Sequence, residues 1–334
     1  MRIALDAMGS DDHPAPDVEG AVQAATEYGG TIVLVGDKAQ ISAELAKHDT
    51  SGLSLEVVHA SQKITMEDSP SKVARSHTES SMHIGMDLVE SGDCDAFVSC
   101  GNTGAVLAIA TLHKVRRIRG VHRPVLSTII PFMGNPVILV DLGANVDCKP
   151  EWLTQFALMG SVYAERVLGR KNPKVALLSN GEEEGKGNAL IHETIPLIET
   201  MDLNYVGNVE PKEMARGAAD VIVADGFVGN LVAKTLEAMS TTLFTAIQDS
   251  VEKSLRAKIG ALLMRPTFRK IYNDFDPAEI GGAPLLGVNG VIIIGHGRSD
   301  ARAVKNAIRQ ARKAVEGDIV ETIRNGLKQT DSAK

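Results

Sequence analysis

The 334-residue sequence has few aromatic residues, few cysteines and no long apolar run. Phe, Trp and Tyr together make up 4% of it, so the core is expected to be packed mainly with aliphatic side chains. The three cysteines match no zinc-binding spacing, and no disulfide framework suits so long a chain, which favours a reducing cytoplasm. The most apolar window, residues 125–140, is interrupted by proline and glycine, whereas a membrane-spanning helix needs about 20 apolar residues. We therefore expect a soluble chain.

The sequence also lacks an excess of basic residues. Lysine and arginine number 35 against 42 acidic residues, a net charge of −7, which argues against general nucleic-acid binding. Hydrophobic residues (44%) and charged residues (23%) occur at the levels of ordinary globular proteins, which excludes disorder, collagen and coiled coils. The first six residues, ending in Asp6, resemble a strand rather than a signal peptide. Glycine, in contrast, is abundant, with 31 residues.

Short aliphatic runs alternate with amphipathic stretches along most of the chain. Strands are predicted at residues 2–6, 31–35, 55–58, 96–99, 126–130, 137–141, 175–179, 204–206, 221–224 and 291–294, and helices at 15–28, 73–90, 151–168, 188–199 and 301–315. This order predicts a mainly parallel sheet covered on both faces, with one antiparallel pair at the short connection 132–136. Residues 231–275 are interpreted as a helical arm inserted into a single α/β domain that comprises residues 1–334.

Six of the predicted strands end in loops rich in glycine, asparagine and acidic residues. Ligands bind outside the carboxyl ends of the strands in open α/β sheets, so these loops are candidate ligand-binding segments. One such loop alone is more often a simple turn, because Gly and Asn are common turn residues, but six together are hard to explain in that way. The loops are residues 6–11, 100–104, 142–145, 180–188, 225–230 and 295–299.

The loop Gly101-Asn102-Thr103-Gly104 precedes the apolar start of a helix. Glycine lets backbone N–H groups approach an anion, the helix dipole favours negative charge, and Asn102 and Thr103 add neutral donors. The Gly-Lys-Ser/Thr ending of a Walker loop is absent, and so is the G-x-G-x-x-G dinucleotide fingerprint. A small phosphate is therefore a better candidate ligand than a nucleotide.

Few residues qualify as catalytic groups. Lys186 lies between two glycines, where it either reaches a phosphate or an oxyanion or merely balances the three glutamates that precede it. Consecutive carboxylates point in different directions, so no catalytic metal is expected there. Cys100 is interpreted as a small packing residue rather than a nucleophile. His296, at a strand end, is a candidate general acid.

Several loops belong to longer motifs that occur in a fixed order. The motifs are Asp6-Ala7-Met8-Gly9, Gly101-Asn102-Thr103-Gly104-Ala105, Asp141-Leu142-Gly143-Ala144-Asn145, residues 180–187, Ala224-Asp225-Gly226-Phe227-Val228-Gly229-Asn230, residues 281–290 and Gly295-His296-Gly297. With them the sequence closely resembles the bacterial PlsX family, the phosphate acyltransferases of phospholipid synthesis, over nearly its whole length. Ser10 stands where a second glycine is usual, and Cys100 stands where a small non-thiol residue is usual. The second departure further weakens Cys100 as a nucleophile.

The resemblance implies that acyl-[acyl carrier protein] and orthophosphate react to give acyl phosphate and free carrier protein, with no cofactor and no metal. The acyl phosphate would serve the acylation of glycerol 3-phosphate, so a downstream glycerol-3-phosphate acyltransferase is an expected partner. The resemblance further implies a homodimer and a three-layer αβα sandwich. Its mixed, mostly parallel sheet would be like that of isopropylmalate dehydrogenases and phosphotransacetylases.

Roles in this reaction can be assigned as hypotheses. Residues 101–104 would bind orthophosphate, and Lys186 would offset negative charge on phosphate or on the tetrahedral intermediate. His296 would protonate the leaving thiolate or have a structural role. The residues expected to bind the oxyanion or the substrate are Asp6, Asn145, Asn180, Asp225 and Asn230, of which Asn230 is expected to be catalytic.

Two basic stretches are candidate docking surfaces for an acidic carrier protein or an anionic membrane. The first, residues 113–123, contains Lys114, Arg116, Arg117, Arg119 and Arg123 and no acid. The second, residues 251–272, combines Arg256, Lys258, Arg265 and Arg269 with apolar residues such as Leu263 and Phe268. The second pattern suits an interfacial amphipathic helix, a dimer arm or a solvated helix face. We expect a cytoplasmic protein that contacts the membrane peripherally.

Three other functions remain open at this point. A dehydrogenase of the same fold would need a dinucleotide site and a metal–carboxylate cluster, and neither is evident. A phosphotransacetylase acting on acyl-CoA is poorly separated by the loops alone. A non-enzymatic membrane scaffold would explain the basic arm but not the six polar loops.

Overall fold

An eleven-stranded mixed sheet forms the centre of the computed structural model, which describes residues 1–132 and 135–332. Its strands are β1 (Arg2–Asp6), β2 (Thr31–Gly36), β3 (Ser54–His59), β4 (Ala96–Ser99), β5 (Val125–Phe132), β6 (Asn135–Val140), β7 (Lys174–Leu178), β8 (Asn204–Val209), β9 (Val221–Val223), β10 (Ala283–Leu286) and β11 (Val291–Ile294). The strand order is β3-β2-β1-β4-β11-β10-β5-β6-β9-β7-β8. Seven of the ten neighbouring pairs are parallel, which confirms the predicted mixed, mostly parallel sheet.

Helices cover both faces of the sheet. They are α1 (Ala15–Tyr28), α2 (Lys38–Leu45), α3 (Pro70–Ser76), α4 (Ser81–Glu90), α5 (Thr103–Ala108), α6 (Pro150–Leu168), α7 (Ala189–Ile198), α8 (Pro211–Ala215), α9 (Gly226–Glu252), α10 (Leu255–Phe275), α11 (Pro277–Ile280), α12 (Ala301–Glu316) and α13 (Ile319–Ser332). A π-helical turn, Ile109–His113, continues α5. On one face α1, α6, α12 and α13 share a single aliphatic core. On the other face α3–α5 cover one half of the sheet, and α8 and α9 cover the other half.

The strand directions divide the sheet into two sets. Strand β10 is antiparallel to both of its neighbours, β11 and β5, and β5 is antiparallel to β6. Therefore β1–β5 and β11 run in one direction, and β6–β10 run in the other. Because the two sets point in opposite directions, their carboxyl ends lie at opposite ends of the sheet. The antiparallel pairing of β5 and β6 was predicted from the short connection; residues 133 and 134 within it lie outside the described residues.

The structure corrects several sequence-based predictions. The predicted helix 73–90 is two helices, because α3 ends at Ser76 and Ser80 caps α4 by accepting a hydrogen bond from the backbone N–H of His83. The long helical stretch starts earlier than predicted, since Asp225 caps α9 and residues 226–230 form its first turns rather than a loop. A break after Glu252 then separates α9 from α10. Strand β10 was missed because its sequence, Ala-Pro-Leu-Leu, follows two glycines.

Candidate active site

The six polar loops follow two sets of strands that run in opposite directions. The loops after β1, β4 and β11 (residues 6–11, 100–104 and 295–299) are called the first loop group. The segments after β6, β7 and β9 (residues 141–145, 180–188 and 224–230) are called the second loop group. One cleft extends from Gly104 of the first group to Ala144 and Asn145 of the second.

Backbone and side-chain hydrogen bonds hold the first loop group together. The N–H of Asp11 donates to the carbonyl of Gly297 at 2.7 Å, and the N–H of Gly295 donates to that of Ser99 at 2.9 Å. Asp6 is buried at the centre, where its carboxylate accepts from the Ser99 hydroxyl at 2.7 Å and from the N–H of Met8 at 3.1 Å. Burial raises the pKa of Asp6 above its ordinary value. Asp6 therefore stabilises the loops from beneath instead of facing an open site.

Asn102 has the same kind of internal role. Its side-chain oxygen accepts from the N–H of Ala105 at 3.1 Å and so caps α5. Its amide nitrogen donates to the carbonyls of Thr65 and Asp68, both at 3.1 Å. The side chain predicted to donate to a phosphate is thus occupied by the protein. Among the described residues, however, no acceptor contacts the backbone N–H groups of Asn102, Thr103 and Gly104, and these groups remain available to an anion.

Cys100 lies under this loop with no exposed surface. Burial raises the pKa of the Cys100 thiol, and the nearby carboxyl groups of Asp17 and Asp6 raise it further. A thiolate nucleophile requires a lowered pKa and access to substrate. The structure therefore agrees with the interpretation of Cys100 as a packing residue.

Asp141 anchors the second loop group. Its carboxylate accepts hydrogen bonds from the N–H groups of Gly143, Ala144 and Asn145 at 2.8–3.1 Å and from the amide nitrogen of Asn145 at 2.9 Å. These hydrogen bonds lower the pKa of Asp141, but the effect of burial is larger and raises it to about 6. Asn145 donates its second amide hydrogen to the carbonyl of Pro124 at 2.9 Å. Both amide hydrogens of Asn145, predicted to bind an oxyanion, therefore hold the loop in shape.

Helix α9 begins directly against this anchored loop. The N–H of Gly226 donates to the carbonyl of Asn145 at 2.8 Å, and Asp225 caps the helix by accepting from the N–H of Val228 at 2.9 Å. A β-carbon at Gly229 would overlap the carbonyl oxygen of Asp141, so only glycine allows this close approach. The next residue, Asn230, is half-buried with its amide beside Gly143, and no hydrogen-bond partner for that amide occurs in residues 1–132 or 135–332. Asn230 is thus free to donate to a substrate.

The loop after β7 is the most exposed part of the second loop group. Asn180 is exposed, and its side-chain oxygen accepts from the N–H of Gly187 at 3.0 Å, which closes the loop on itself. Lys186 is exposed, and none of the described carboxylates forms an ion pair with it. The loop therefore presents a free ammonium group at the same end of the sheet as Asn230.

Helix α9 connects the two loop groups. Glu237 forms an ion pair with Arg298 of the first loop group, and Lys234 lies near enough to His296 to affect its titration. Desolvation lowers the pKa of His296, as do Arg298 and Lys234, whereas Glu237 acts in the opposite direction. Residues 226 and 237 are eleven positions apart, which is about 17 Å along a helix. One face of α9 thus carries polar side chains from the second loop group to the first.

Comparisons with known proteins identify the family. The family model described as "fatty acid synthesis protein" matches residues 1–322. The phosphate acyltransferases of Geotalea daltonii and Clostridioides difficile are 46% and 44% identical over 97% of this chain, and the matches cover 94% and 95% of those proteins. The chain belongs to the phosphate acyltransferase family. The predicted resemblance is confirmed, and the chain is an acyltransferase.

Solved structures confirm the predicted fold of this acyltransferase. A phosphotransacetylase from Streptococcus pyogenes matches with a TM-score of 0.61 at 16% identity, over 96% of this chain and 94% of its own. A branched-chain phosphotransacylase from Enterococcus faecalis V583 matches with a TM-score of 0.57 at 15% identity, over 94% and 99%. At these identities the likeness shows the fold alone.

The residues of the two basic stretches occupy different surroundings in the acyltransferase. Arg116, Arg117 and Arg119 are exposed on the segment between the π-helical turn and β5, where they line a cleft that also reaches Gly104 and Asn145. In α10, the basic residues and Leu263 are exposed, whereas Phe268 is half-buried; the basic residues are Arg256, Lys258, Arg265 and Arg269. No helix among the described residues is long and apolar enough to cross a membrane.

Two residues of the candidate site, Asp141 and Lys234, were not predicted from the sequence. Asp141 lies within one of the sequence motifs, but its four hydrogen bonds depend on a left-handed backbone at Asp141 itself, with φ of 69°. Lys234 lies four residues after Asn230, one helical turn away on the same face. The i, i+4 spacing is the signal that identifies Lys234, and it becomes visible only once α9 is known to begin at Gly226.

Proposed function

We propose that this enzyme transfers a long-chain acyl group from acyl-[acyl carrier protein] to orthophosphate, giving an acyl phosphate for the acylation of glycerol 3-phosphate. The near full-length match to phosphate acyltransferases is the observation that carries this proposal. The site agrees with it, because free backbone donors, a free amide and a free ammonium group are what an attacking phosphate and an oxyanion require. The carrier protein and the metabolic use of the product are parts of the proposal.

In this mechanism the backbone N–H groups of residues 102–104 bind orthophosphate. A phosphate oxygen attacks the thioester carbonyl carbon, forming a C–O bond and an oxyanion. Collapse of the intermediate breaks the C–S bond and releases a thiolate, which takes up one proton. Alignment of the two bound reactants supplies much of the acceleration, since no covalent enzyme intermediate is formed.

Asn230 is the strongest candidate for stabilising the oxyanion. Of the asparagines predicted for this role, Asn145 uses both amide hydrogens internally, whereas the amide of Asn230 has no partner among the described residues. Loss of one such donor typically costs about 3 kcal/mol of transition-state stabilisation. Lys186 supplies positive charge for the tetrahedral intermediate, as an exposed ammonium group in the same loop group as Asn230.

In this proposal, His296 protonates the leaving thiolate. Its lowered pKa makes the neutral imidazole the dominant form at neutral pH, so it acts as a hydrogen-bond donor or relays a proton from the attacking phosphate. Lys234, a residue of α9 that lies near His296, adds positive charge near the site of thiolate formation.

One assay tests the reaction as a whole. The enzyme is incubated with palmitoyl-carrier protein and orthophosphate, and acyl phosphate is trapped with hydroxylamine while the released thiol is titrated. We expect equal amounts of thiol and acyl phosphate. Thiol release without acyl phosphate would show a thioesterase and overturn the proposal. Palmitoyl-CoA, assayed in parallel, identifies the preferred donor.

We further propose that residues 231–275 form an arm on a single domain and that the arm contacts a membrane surface as part of a homodimer. Helices α9 and α10 contact each other through the rings of Phe244 and Tyr272, 5.2 Å apart. The arm exposes large apolar side chains next to its basic residues; they are Met239, Leu243, Leu255, Ile259, Leu262 and Leu263. Exposed apolar patches of this kind mark interaction surfaces.

Liposome flotation tests the membrane part of this proposal. We expect the enzyme to float with vesicles that contain anionic lipid, and Leu263→Glu to reduce the floated fraction. Leu197→Glu, at another exposed leucine in α7, is the matched control. If Leu263→Glu floats like the wild type, the arm is not the contact surface, and the oligomeric state of the two variants then shows whether it joins two copies of the chain.

A further inference from the structure

A cleft of about 660 Å³ lies between helix α5 and the segment that leads to β5. One wall is formed by α5 and the π-helical turn, with Leu107, Ala108 and Leu112 facing the cleft. The opposite wall is residues 116–124, and Ala144 and Asn145 close one end. The cleft therefore extends from the phosphate-binding loop at Gly104 to the second loop group.

Four arginines on the second wall carry uncompensated charge. Arg116, Arg117, Arg119 and Arg123 are all exposed, and none of them forms a salt bridge with a carboxylate in the described parts of the chain. Arg117 donates to the carbonyl of His122, and Arg123 stacks 4.9 Å from the ring centre of Trp152. The neighbouring Lys114, in contrast, is paired with Asp87 at 2.6 Å. In a chain with a net charge of −7, this concentration of free guanidinium groups indicates an anionic ligand.

The arginine wall is held in place by the motif at residues 281–290. Asn289 donates from its backbone to the carbonyl of Arg116 and from its amide to that of Arg117, both at 2.9 Å. The N–H of Ile118 donates to the carbonyl of Gly287 at 3.0 Å. Arg116 itself has φ of 60°, a left-handed conformation that a non-glycine residue adopts only where the surrounding structure enforces it. The wall is thus a preorganised feature.

We propose that this cleft binds the phosphopantetheine arm of the acyl donor, with the arginines gripping its phosphodiester. Guanidinium groups bind phosphate oxygens through paired, charge-assisted hydrogen bonds. The apolar wall of α5 contacts the carbon chain of the arm, and the thioester end reaches Gly104 and Asn145, where orthophosphate is held. This inference rests on the proposed acyl transfer and adds the recognition site of its donor. Carrier protein and coenzyme A both carry this arm.

Binding measurements test the cleft without requiring catalysis. Phosphopantetheine and pantetheine, which differ only in the phosphate, are titrated calorimetrically into wild type and into Arg119→Gln/Arg123→Gln. We expect the wild type to bind the phosphorylated compound at least about tenfold more tightly, since a hydrogen bond to a charged group contributes that much. The double variant should lose this preference, and Arg119→Lys/Arg123→Lys should restore part of it. Arg166→Gln/Lys171→Gln, exposed cations at the end of α6 on the other face, should keep it.

Turnover separates this inference from the proposed reaction. Acyl phosphate formation is compared for palmitoyl-phosphopantetheine, palmitoyl-pantetheine, palmitoyl-CoA and palmitoyl-carrier protein. We expect the arginine variant to raise KM for every phosphorylated donor and to leave KM for orthophosphate unchanged; the wild-type ratio of the last two donors identifies the natural source. A raised KM for orthophosphate, an unchanged preference for the phosphorylated arm, or a defect confined to carrier protein would each overturn the inference. Absence of acyl phosphate from all donors would refute the reaction instead, and the binding result would stand.

Discussion

The first and second loop groups have similar compositions but present different chemistry. In the first, the polar side chains of Asp6, Ser99 and Asn102 are buried and bonded to the protein, so that backbone N–H groups remain for a ligand. In the second, Asp141 holds the backbone from within, and Asn230 and Lys186 remain free. Glycine- and asparagine-rich loops can therefore serve an active site in two ways, and burial determines which way applies.

The strongest way to break the second loop group is to add one methyl group where α9 meets it. Gly229→Ala places a β-carbon against the Asp141 carbonyl, and we expect a loss of about 3 kcal/mol in unfolding free energy or failure to fold. Gly185→Ala in the same group meets open space and should change stability by less than about 0.5 kcal/mol. Urea unfolding measures the unfolding free energy of both variants. Equal values would contradict the close approach of Gly229 to the Asp141 carbonyl.

The contrast between free side chains and free backbone groups is sharpened by two polar substitutions. Asn230→Ala should lower kcat about 100-fold with little change in stability, because it removes an oxyanion donor. Thr103→Ala, at an exposed position of the first loop group, should leave kcat nearly unchanged, because the backbone N–H groups there persist. Steady-state kinetics on the folded variants measures both values of kcat. A larger loss of kcat in Thr103→Ala than in Asn230→Ala would contradict this difference between the two loop groups.

The buried acids beneath the first loop group predict a pH effect. Asp17 accepts a hydrogen bond from Ser10, and burial raises the pKa of Asp17 to about 8. The folded protein therefore retains a proton that the unfolded chain releases near pH 4. Stability should fall as pH rises between about 4 and 8, by up to about 1.4 kcal/mol per pH unit. The difference in unfolding free energy between wild type and Asp17→Asn should follow this slope, and a pH-independent difference would count against it.

The smallest expected effect compares two helix caps. Asp225 caps α9 with one hydrogen bond, whereas Asn102 caps α5 and also donates to the loop before α3. Asp225→Ala should therefore cost about 1 kcal/mol of stability and Asn102→Ala about 2 kcal/mol. Thermal or urea unfolding measures this difference. Equal costs would mean that the additional contacts of Asn102 contribute nothing.

Local patterns in the sequence were sufficient for much of the fold. Near-continuous aliphatic runs identified ten of the strands, because strands buried on both faces need such runs. Strand β10 carries Pro284 after two glycines, a pattern typical of a loop, and it becomes a strand only because β5 and β11 supply partners on both sides. The start of α9 was likewise hidden, since glycines in residues 226–229 imitate a turn and serve instead for contact with residues 141–145.

The sequence indicated which segments belong to the candidate site but not how these segments contact one another. The motifs singled out Asn230, Lys186 and the loop at residues 101–104, and the roles of these residues stay predictions. Free and occupied side chains could not be told apart, because the partners of Asn102 and Asn145 come from residues 65–68 and from Pro124. Such contacts depend on the packing of distant segments.

The sequence by itself determined the family, the alternation of strands and helices and the chemical nature of the loops, since each of these is written in residues close together along the chain. The tertiary structure alone decided where the loops lie. One antiparallel strand, β10, and the β5–β6 pair reverse half of the sheet and place three loops at each end. Strand direction follows from hydrogen bonding between distant segments, and for the same reason only the folded chain brings α9 across the sheet to join the two loop groups.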